Sequence, residues 1–403
     1  MSERGFTTLI LTVGQTAAPL EHALLEHAPQ GVVFIASQSS QVVVAELLRK
    51  YGQELRHHTL LLDDFESLTE SYQKALQALR KALEWESRVL LADITGGTKP
   101  MIAGVLLALS GQGVTFCYVG GSQRDEQGRV KSGSEQTRLL EDPTLRFGLR
   151  EWEGFRRAWN RNDYPAALDF LHELLSRPLS PSEQRFYTHL VGITEGMVAW
   201  DLFEHKQAGA KLAAHLEAAL AIAEAWGHGA KVRVLQNLQR SQALLQEILK
   251  RAGKPSFALL ADLLANAERR AARGRYDDAL ARLYRAIELA AEASIFERHG
   301  IEVREFKTYP QNLQHIAVKM EKAQGLKEHL SLMASIDGAL QQTETLPQKL
   351  YAAYLGPLGE QMQARHRSIL GHGLQPVRQK AWEDLRQNLL SLGLEAAPPW
   401  PSW

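Results

Sequence analysis

Short runs of β-branched and aliphatic residues alternate with amphipathic segments through the first 147 residues, and then the alternation stops. TTLILTV (7–13), GVVFIAS (31–37), HTLLL (58–62), RVLLADI (88–94) and VTFCYVG (114–120) are apolar runs of strand length, and VVVAELLRKYG and ESYQKALQALRKALEW between them have helical spacing. Strands alternating with helices predict an α/β domain built on a mostly parallel sheet. The polar stretch GSQRDEQGRVKSGSEQTR after the last run reads as a hairpin or an excursion from the core. From about Trp152 the chain is almost entirely helical in pattern, rich in Ala, Leu, Glu, Gln and Arg, with breaks at RPLSPSE (177–183), WGHG (226–229) and AGKPS (252–256). The last break predicts a boundary between two helical domains. NDYPAALDFL (162–171) and GRYDDALARL (274–283) echo one another across 112 residues. A tetratricopeptide solenoid would repeat about every 34 residues, so the echo predicts two similar helical hairpins in a bundle.

The chain's 403 residues suit two or three domains, and 45% hydrophobic with 23% charged residues is the balance of an ordinary globular protein. Lys plus Arg and Asp plus Glu both number 46, so no bulk positive field exists to hold duplex DNA, and any nucleic acid must be met locally. The single cysteine, Cys117, lies in an apolar run, which excludes disulfides within the chain and thiolate zinc sites. MSERGFTTLI has no signal-peptide pattern, and no apolar run approaches the roughly 20 residues of a membrane helix, so a cytoplasmic protein is expected. His57-His58 and the pair His22 and His27 have no carboxylate or cysteine pattern around them and read as structural; no metal site is expected.

The chemistry concentrates at strand ends. LLADITGGTKPM (90–101) breaks from an apolar run into Asp93, Thr95, Gly96, Gly97, Thr98 and Lys99 before Pro100. In parallel α/β sheets ligands settle at the carboxyl ends of the strands, where helix N-termini present unpaired amides. The two glycines admit a ligand close to the backbone, Thr98 can cap the helix that Pro100 opens, and Lys99 adds positive charge there. A tight strand-to-helix turn with an ordinary cap is the plainer alternative. Other strand ends add neutral donors and acceptors suited to base edges and ribose hydroxyls: Gly14, Gln15 and Thr16 after the first, and Ser37, Gln38, Ser39 and Ser40 after the second. Gly120 and Gly121 follow the last. Lys99 is followed by Pro and lacks the upstream glycine of a P-loop, and the first turn has one glycine in place of G-x-G-x-x-G, which disfavours an NTPase or a dinucleotide dehydrogenase.

Near the C-terminus, MQARHRSILGHGLQ (362–375) brings arginine and histidine together. If the stretch is helical, Arg365 and His372 are two turns apart on one face, whereas Arg367 and His372 diverge. A guanidinium can hold a phosphate and stabilise its developing charge, and an imidazole can move protons near neutral pH. A solvated helix face is the plainer reading of such a pair.

DITGGTKPM after an apolar strand, followed by a helical region carrying R-x(4-6)-H, resembles the CRISPR-associated CARF-HEPN ribonucleases, accessory effectors of type III CRISPR systems. The resemblance runs the length of the chain, and GRYDDALARLYRAIELAAEA is similar to the early HEPN helices of one branch. It implies a Rossmann-like α/β CARF sensor domain (1–147), an all-α connector (148–253) and an all-α HEPN domain (254–403). It also implies that two chains pair as a homodimer, and that their CARF domains hold a cyclic oligoadenylate, a cyclic tetra- or hexa-adenylate, as allosteric activator. Thr95, Gly96, Gly97, Thr98 and Lys99 match the ring-binding loop, with Gly14, Gln15, Thr16, Ser37, Gln38, Ser39 and Ser40 at neighbouring strand ends. The paired HEPN domains are then expected to cleave single-stranded RNA by attack of a ribose 2′-hydroxyl on the adjacent phosphate, without metal or cofactor. Arg365 or Arg367 would hold the phosphate and His372 would support proton transfer.

The family usually places a polar residue, often Asn, directly after its arginine; here His366 follows Arg365 and Ser368 follows Arg367. The shared helical face favours Arg365, with Arg367 as the alternative. Two other readings compete with a ring-activated ribonuclease: a CARF regulator whose helical domain is non-catalytic, and a helical scaffold with a nucleotide sensor. No helix-turn-helix motif stands out to support DNA binding by such a regulator.

Overall fold

The structure, a computed structural model, describes residues 6–53, 55–123, 133–371 and 373–403. Its residues fall into two compact units, Met1–Arg150 with Arg177–Leu179, and Glu151–Ser176 with Ser180–Trp403.

The first unit is a six-stranded sheet of β1 (Thr7–Thr12), β2 (Gly31–Ser37), β3 (Arg56–Leu62), β4 (Val89–Asp93), β5 (Thr115–Gly121) and β6 (Glu135–Leu140), in the order β3-β2-β1-β4-β5-β6. The first five strands are parallel, and β6 returns antiparallel to β5, with Gly121 opposite Glu135. The stretch read as a hairpin or excursion therefore delivers an edge strand; its residues 124–132 lie outside the described residues.

Helices α1 (Ala18–His27), α2 (Gln41–Tyr51), α3 (Leu68–Glu84) and α4 (Lys99–Leu109) connect the parallel strands. Successive strand side chains point to opposite faces, and β1 divides accordingly. Leu9, Leu11 and Val13 pack with Leu20, Leu24, Val43 and Leu47 of α1 and α2. Ile10 packs with Ala75, Ala78, Val105 and Leu109 of α3 and α4. Helices on both faces explain why every residue of β2 is buried and why its sequence is an unbroken apolar run. The strand order reverses between β1 and β4, so the crevice above their carboxyl ends is the topological switch point of a Rossmann-like sheet, the usual place for a ligand.

The second unit is helical: α5 (Pro143–Arg146) and the start of α6 (Leu149–Asn160) precede its boundary, and α7 (Tyr164–Leu175), α8 (Pro181–Asp201), α9 (His205–Ala225) and α10 (Gly229–Lys250) follow. Then come α11 (Phe257–Ala272), α12 (Tyr276–His299), α13 (Gln314–Lys322), α14 (Leu326–Ala339), α15 (Leu346–Tyr354), α16 (Pro357–Arg367) and α17 (Gln379–Ser391). The break RPLSPSE ends in a reciprocal cap, Ser180 with Glu183, and Pro181 opens α8. At Gly192 a Cβ would overlap the His215 ring, so that glycine sets how closely α9 lies on α8. The two echoing segments open α7 and α12, each starting at its tyrosine.

Helices α11 to α17 share one apolar core that includes Leu264, Leu283, Ile287, Leu330, Ile336, Leu350, Met362 and Leu385. A buried polar seam joins α8 to α11. Asp201 accepts from Arg269 Nε at 3.0 Å, Arg270 Nη2 at 2.7 Å and Asn266 Nδ2 at 2.9 Å. Asp262 accepts from Trp200 Nε1 at 3.1 Å and meets His205 Nε2 at 2.9 Å. Among the described residues no helix is long and apolar enough to cross a membrane.

Candidate functional site

The switch-point crevice is walled by backbone. Between β1 and α1 the chain turns through Gly14, and between β4 and α4 through Gly96 and Gly97. A Cβ on Gly14 would stand 3.0 Å from the Gly97 nitrogen, and one on Gly96 would stand 2.5 Å from the Thr12 carbonyl oxygen and 3.0 Å from the Gly14 nitrogen. Only glycine lets these two loops touch. Gly97 also has φ +88°, a left-handed conformation that side chains resist. The contact is fastened by Thr12, whose hydroxyl donates to the Gly96 carbonyl at 2.6 Å. The amides of Gly96 and Gly97 take no protein acceptor among the described residues, and the N-terminal end of α4 lies beside them.

Several expected contact groups are spent on holding this shape. Thr98 caps α4, its hydroxyl accepting from Met101 N–H at 3.4 Å and donating to the Phe65 carbonyl at 2.6 Å. The Thr95 hydroxyl accepts from Val119 N–H at 2.7 Å, which ties the loop to β5. Ser37 is buried and forms a reciprocal cap with Ser40 on the short 3-10 turn after β2. Gln15, Thr16, Gln38, Ser39 and Lys99 are exposed, and Gln15 donates to Ser39 Oγ at 3.3 Å. Exposed neutral polar side chains and Lys99 therefore flank the place where the glycine loops meet.

Asp93 and Thr12 were not among the expected contact residues. Asp93 is fully buried at the end of β4, and its Oδ1 accepts from Thr95 N–H at 2.9 Å. Burial raises its carboxyl above the usual carboxylate range, against the hydrogen bonds of Thr95. The visible signal is Asp-x-Thr, an aspartate whose carboxylate turns the backbone two residues on. Cys117 pairs with Asp93 in the sheet register, and burial pushes its thiol upward, as expected of an inert core cysteine.

In the helical unit the arginines separate. The helical face proposed for Arg365 and His372 requires α16 to run through residue 372, but α16 ends at Arg367 with Ser368 as its C-cap. The Ser368 hydroxyl and amide both donate to the Arg365 carbonyl, at 2.9 and 3.1 Å, and Gly371 N–H donates to the Ser368 carbonyl at 2.9 Å. Gln375 N–H returns to the Arg367 carbonyl at 2.9 Å. The chain doubles back over the helix end so closely that a Cβ at Gly371 or Gly373 would overlap the Arg365 or Arg367 carbonyl. The continuous helical face that favoured Arg365 therefore does not form. His372 itself lies outside the described residues.

The guanidinium of Arg365 sits 4.6 Å from the ring centroid of Tyr284 on α12, with its Nε buried and unpartnered. Tyr284 in turn accepts from Leu326 N–H at 3.0 Å. Arg367 is exposed, its Nε donating to the Gln363 carbonyl at 3.3 Å. Exposed Leu355, Ile369, Leu370 and Leu374 lie near it in sequence, Leu374 at 87% exposure. Among the described residues no group of three or more His, Cys, Asp or Glu side chains could hold a metal ion.

An α/β unit whose glycine loops meet at the switch point is followed along the chain by a helical bundle with an arginine-bearing turn. Residues 147–245 match the family model for the Csm6 6H domain and residues 248–394 that for the Csm6 HEPN domain. These adjoining matches take in more than half of the chain, and it belongs to the Csm6-like CARF-HEPN family of CRISPR-associated proteins. No curated protein matches the chain. Among solved structures it is similar to Enterococcus italicus Csm6 bound to cyclic hexa-2'-fluoro-hexa-dAMP, with 11% identity and a TM-score of 0.49 over 96% of this chain and 93% of that one. A type III CRISPR defence DNA nuclease activated by cyclic oligoadenylate is similar over 46% of this chain and 33% of its own, with 20% identity and a TM-score of 0.26. Can2 from Sulfobacillus thermosulfidooxidans, in complex with cyclic tetra-adenylate, is similar over 46% of this chain and 58% of its own, with 13% identity and a TM-score of 0.26.

Proposed function

We propose that this protein is a homodimeric endoribonuclease of type III CRISPR defence, switched on when its α/β unit binds a cyclic oligoadenylate. The observation that carries the reading is the meeting of the Gly14 loop with the Gly96-Gly97 loop at the switch point. It supports close approach of a ring phosphate to the free glycine amides, with Lys99 adding charge and Gln15, Gln38 and Ser39 offering partners to ribose and base. Thr95, Thr98, Ser37 and Ser40 act by shaping that floor.

In the helical unit, Arg367 is the arginine that holds the phosphate, because it is exposed while Arg365 is engaged by Tyr284. The substrate's 2′-oxygen attacks the adjacent phosphorus and the bond to the 5′-oxygen breaks. A 2′,3′-cyclic phosphate remains on one product, and the other leaves as a 5′-hydroxyl. Arg367 offsets charge developing on the phosphate, and His372 supports the proton transfers; no metal takes part. Two copies of the turn form one site, and the apolar side chains of Ile369, Leu370 and Leu374 around it suit burial against a second copy. A ring that binds the active arrangement better than the resting one shifts the population toward cleavage.

Cleavage of single-stranded RNA in EDTA, with and without cyclic tetra- and hexa-adenylate, tests the reading. Cleavage strongly stimulated by a ring is expected. Ring binding without cleavage would instead support a regulator with a non-catalytic helical domain, and neither activity would leave a scaffold. The stoichiometry is expected to be one ring per two chains, from light scattering and titration calorimetry together; a monomer that binds one ring and cleaves RNA would overturn the dimer.

Lys99→Ala is expected to raise the ring concentration needed for half-maximal activation by about tenfold, the loss of one charge-assisted contact, while basal cleavage at high protein concentration stays unchanged. Thr98→Ala is expected to act in the same direction through the loosened α4 cap. Activation curves that superimpose on the parent for both variants would remove the ring from this loop.

A further inference from the structure

A cavity with aromatic walls and cationic side chains lies at the start of α10. Its volume is about 670 Å³, and its walls include Trp152, Lys231, Arg233, Asn237 and Trp403. That volume lies within the range of pockets that enclose small molecules. Among the described residues no aspartate or glutamate lines it.

The cations in this cavity are unevenly satisfied. Arg156 is engaged by Glu153 at 3.0 Å and by the Trp403 carbonyl at 3.3 Å. Arg233 is exposed and has no ion-pair partner among the described residues. Lys231 is partly buried and also lacks an ion-pair partner; its ammonium is ringed by Trp152, Phe186, Trp226 and Tyr187, at 4.7, 4.8, 5.0 and 5.6 Å from their centroids. Cation–π attraction compensates part of the lost hydration. It does not neutralise the charge. Burial pushes the Lys231 ammonium down to about 8, with Glu183 of α8 opposing that shift from a distance. The first turn of α10 adds its positive end, because His228 at the N-cap contributes no side-chain hydrogen bond.

We propose that this cavity is a binding site for a nucleoside phosphate, with Lys231 and Arg233 supplying the positive charge for the phosphate and the tryptophan-lined wall taking the base. Lys231 and Arg233, neither with an ion-pair partner among the described residues, recognise the phosphate, and a cavity far larger than inorganic phosphate, with indole walls and the Asn237 amide, suits an attached base. The site is separate from the glycine-walled crevice and from the Arg367 turn, and it stands whether or not either has the activity proposed above. The nucleotide could be free or a unit of an RNA chain.

Titration calorimetry of the full chain with AMP, inorganic phosphate and adenosine tests it. AMP is expected to bind saturably and at least tenfold more tightly than either fragment. Arg233→Glu is expected to raise the AMP Kd at least tenfold with an unchanged circular dichroism spectrum, since that side chain is exposed. Lys231→Met, which keeps the aromatic cage filled, is expected to do the same. Lys99→Ala, at the other crevice, should leave the AMP Kd where it was. A 2′-O-methyl hexauridylate that displaces AMP places the nucleotide within RNA, and failure to displace it places the ligand as a free mononucleotide. The proposal is overturned if AMP gives no saturable heat, if phosphate binds as tightly as AMP, or if folded Arg233→Glu binds AMP like the parent.

Discussion

Arg367→Ala is expected to slow ring-activated cleavage of single-stranded RNA by about 10²–10³-fold, the usual cost of removing one group aimed at charge that develops in the transition state. His372→Ala is expected to abolish cleavage as well. Arg365→Ala should behave differently. Its guanidinium lies on the Tyr284 ring, 4.6 Å from the centroid, so its removal takes away a packing and cation–π contact of about 0.5–2 kcal/mol. The expected result is a lower melting temperature and a smaller fall in rate, both largely restored by lysine or methionine, which refill the space over Tyr284. Lysine at 367 should recover little, because a single ammonium does not reproduce the planar fork of a guanidinium on a phosphate. Single-turnover rates at saturating ring, with ring affinity measured on the same preparations, separate the two arginines. Full activity in Arg367→Ala together with an inactive, folded Arg365→Ala would reverse their roles.

The five parallel strands stand out in sequence because each is an apolar run bounded by glycine or polar residues, and their limits agree with the structure within two residues at either end. The glycines at 14, 96 and 97 could be identified as loop residues. Their contact with each other could not, since it depends on β1 lying beside β4, a pairing set by packing across the sheet. The hydroxyls of Ser37, Thr95 and Thr98 look like ligand contacts in a linear reading, but Ser37 is taken up by the backbone of its own turn, and Thr95 and Thr98 by the backbone of Val119 and Phe65, which only the tertiary fold brings near. At the other end of the chain, RHRSIL is compatible with continued helix, and the stop at Arg367 arises from Ser368 and from the return of Gly371 and Gly373 over the helix end. Tyr284 and Arg365 meet through the packing of α12 with α16, which no local pattern encodes.

Asp201→Ala is expected to be the most destabilising single change in the helical unit. Asp201 is 6% exposed, and its carboxylate and carbonyl together engage Arg269, Arg270 and Asn266. Both arginines are nearly as buried, at 7% and 6%. Arg269 is further fixed by the Trp400 ring, 3.6 Å from its guanidinium carbon, and Arg270 by Asp278 at 3.5 Å. Removing the carboxylate leaves two guanidiniums in a desolvated seam that neither can leave without unpacking α11 from α8. Breaking a buried pair by deleting one partner costs about 3–5 kcal/mol, whereas replacing the whole set with apolar residues of similar volume is often neutral. The comparison therefore needs two variants. Asp201→Ala should lower the urea midpoint of the helical unit substantially, and Asp201→Leu combined with Arg269→Met and Arg270→Met should recover much of that loss. The recovery would show that the cost lies in stranded charge and not in lost volume. A midpoint for Asp201→Ala within error of the parent would mean that water reaches the seam and that the α8–α11 junction is held by its apolar contacts alone.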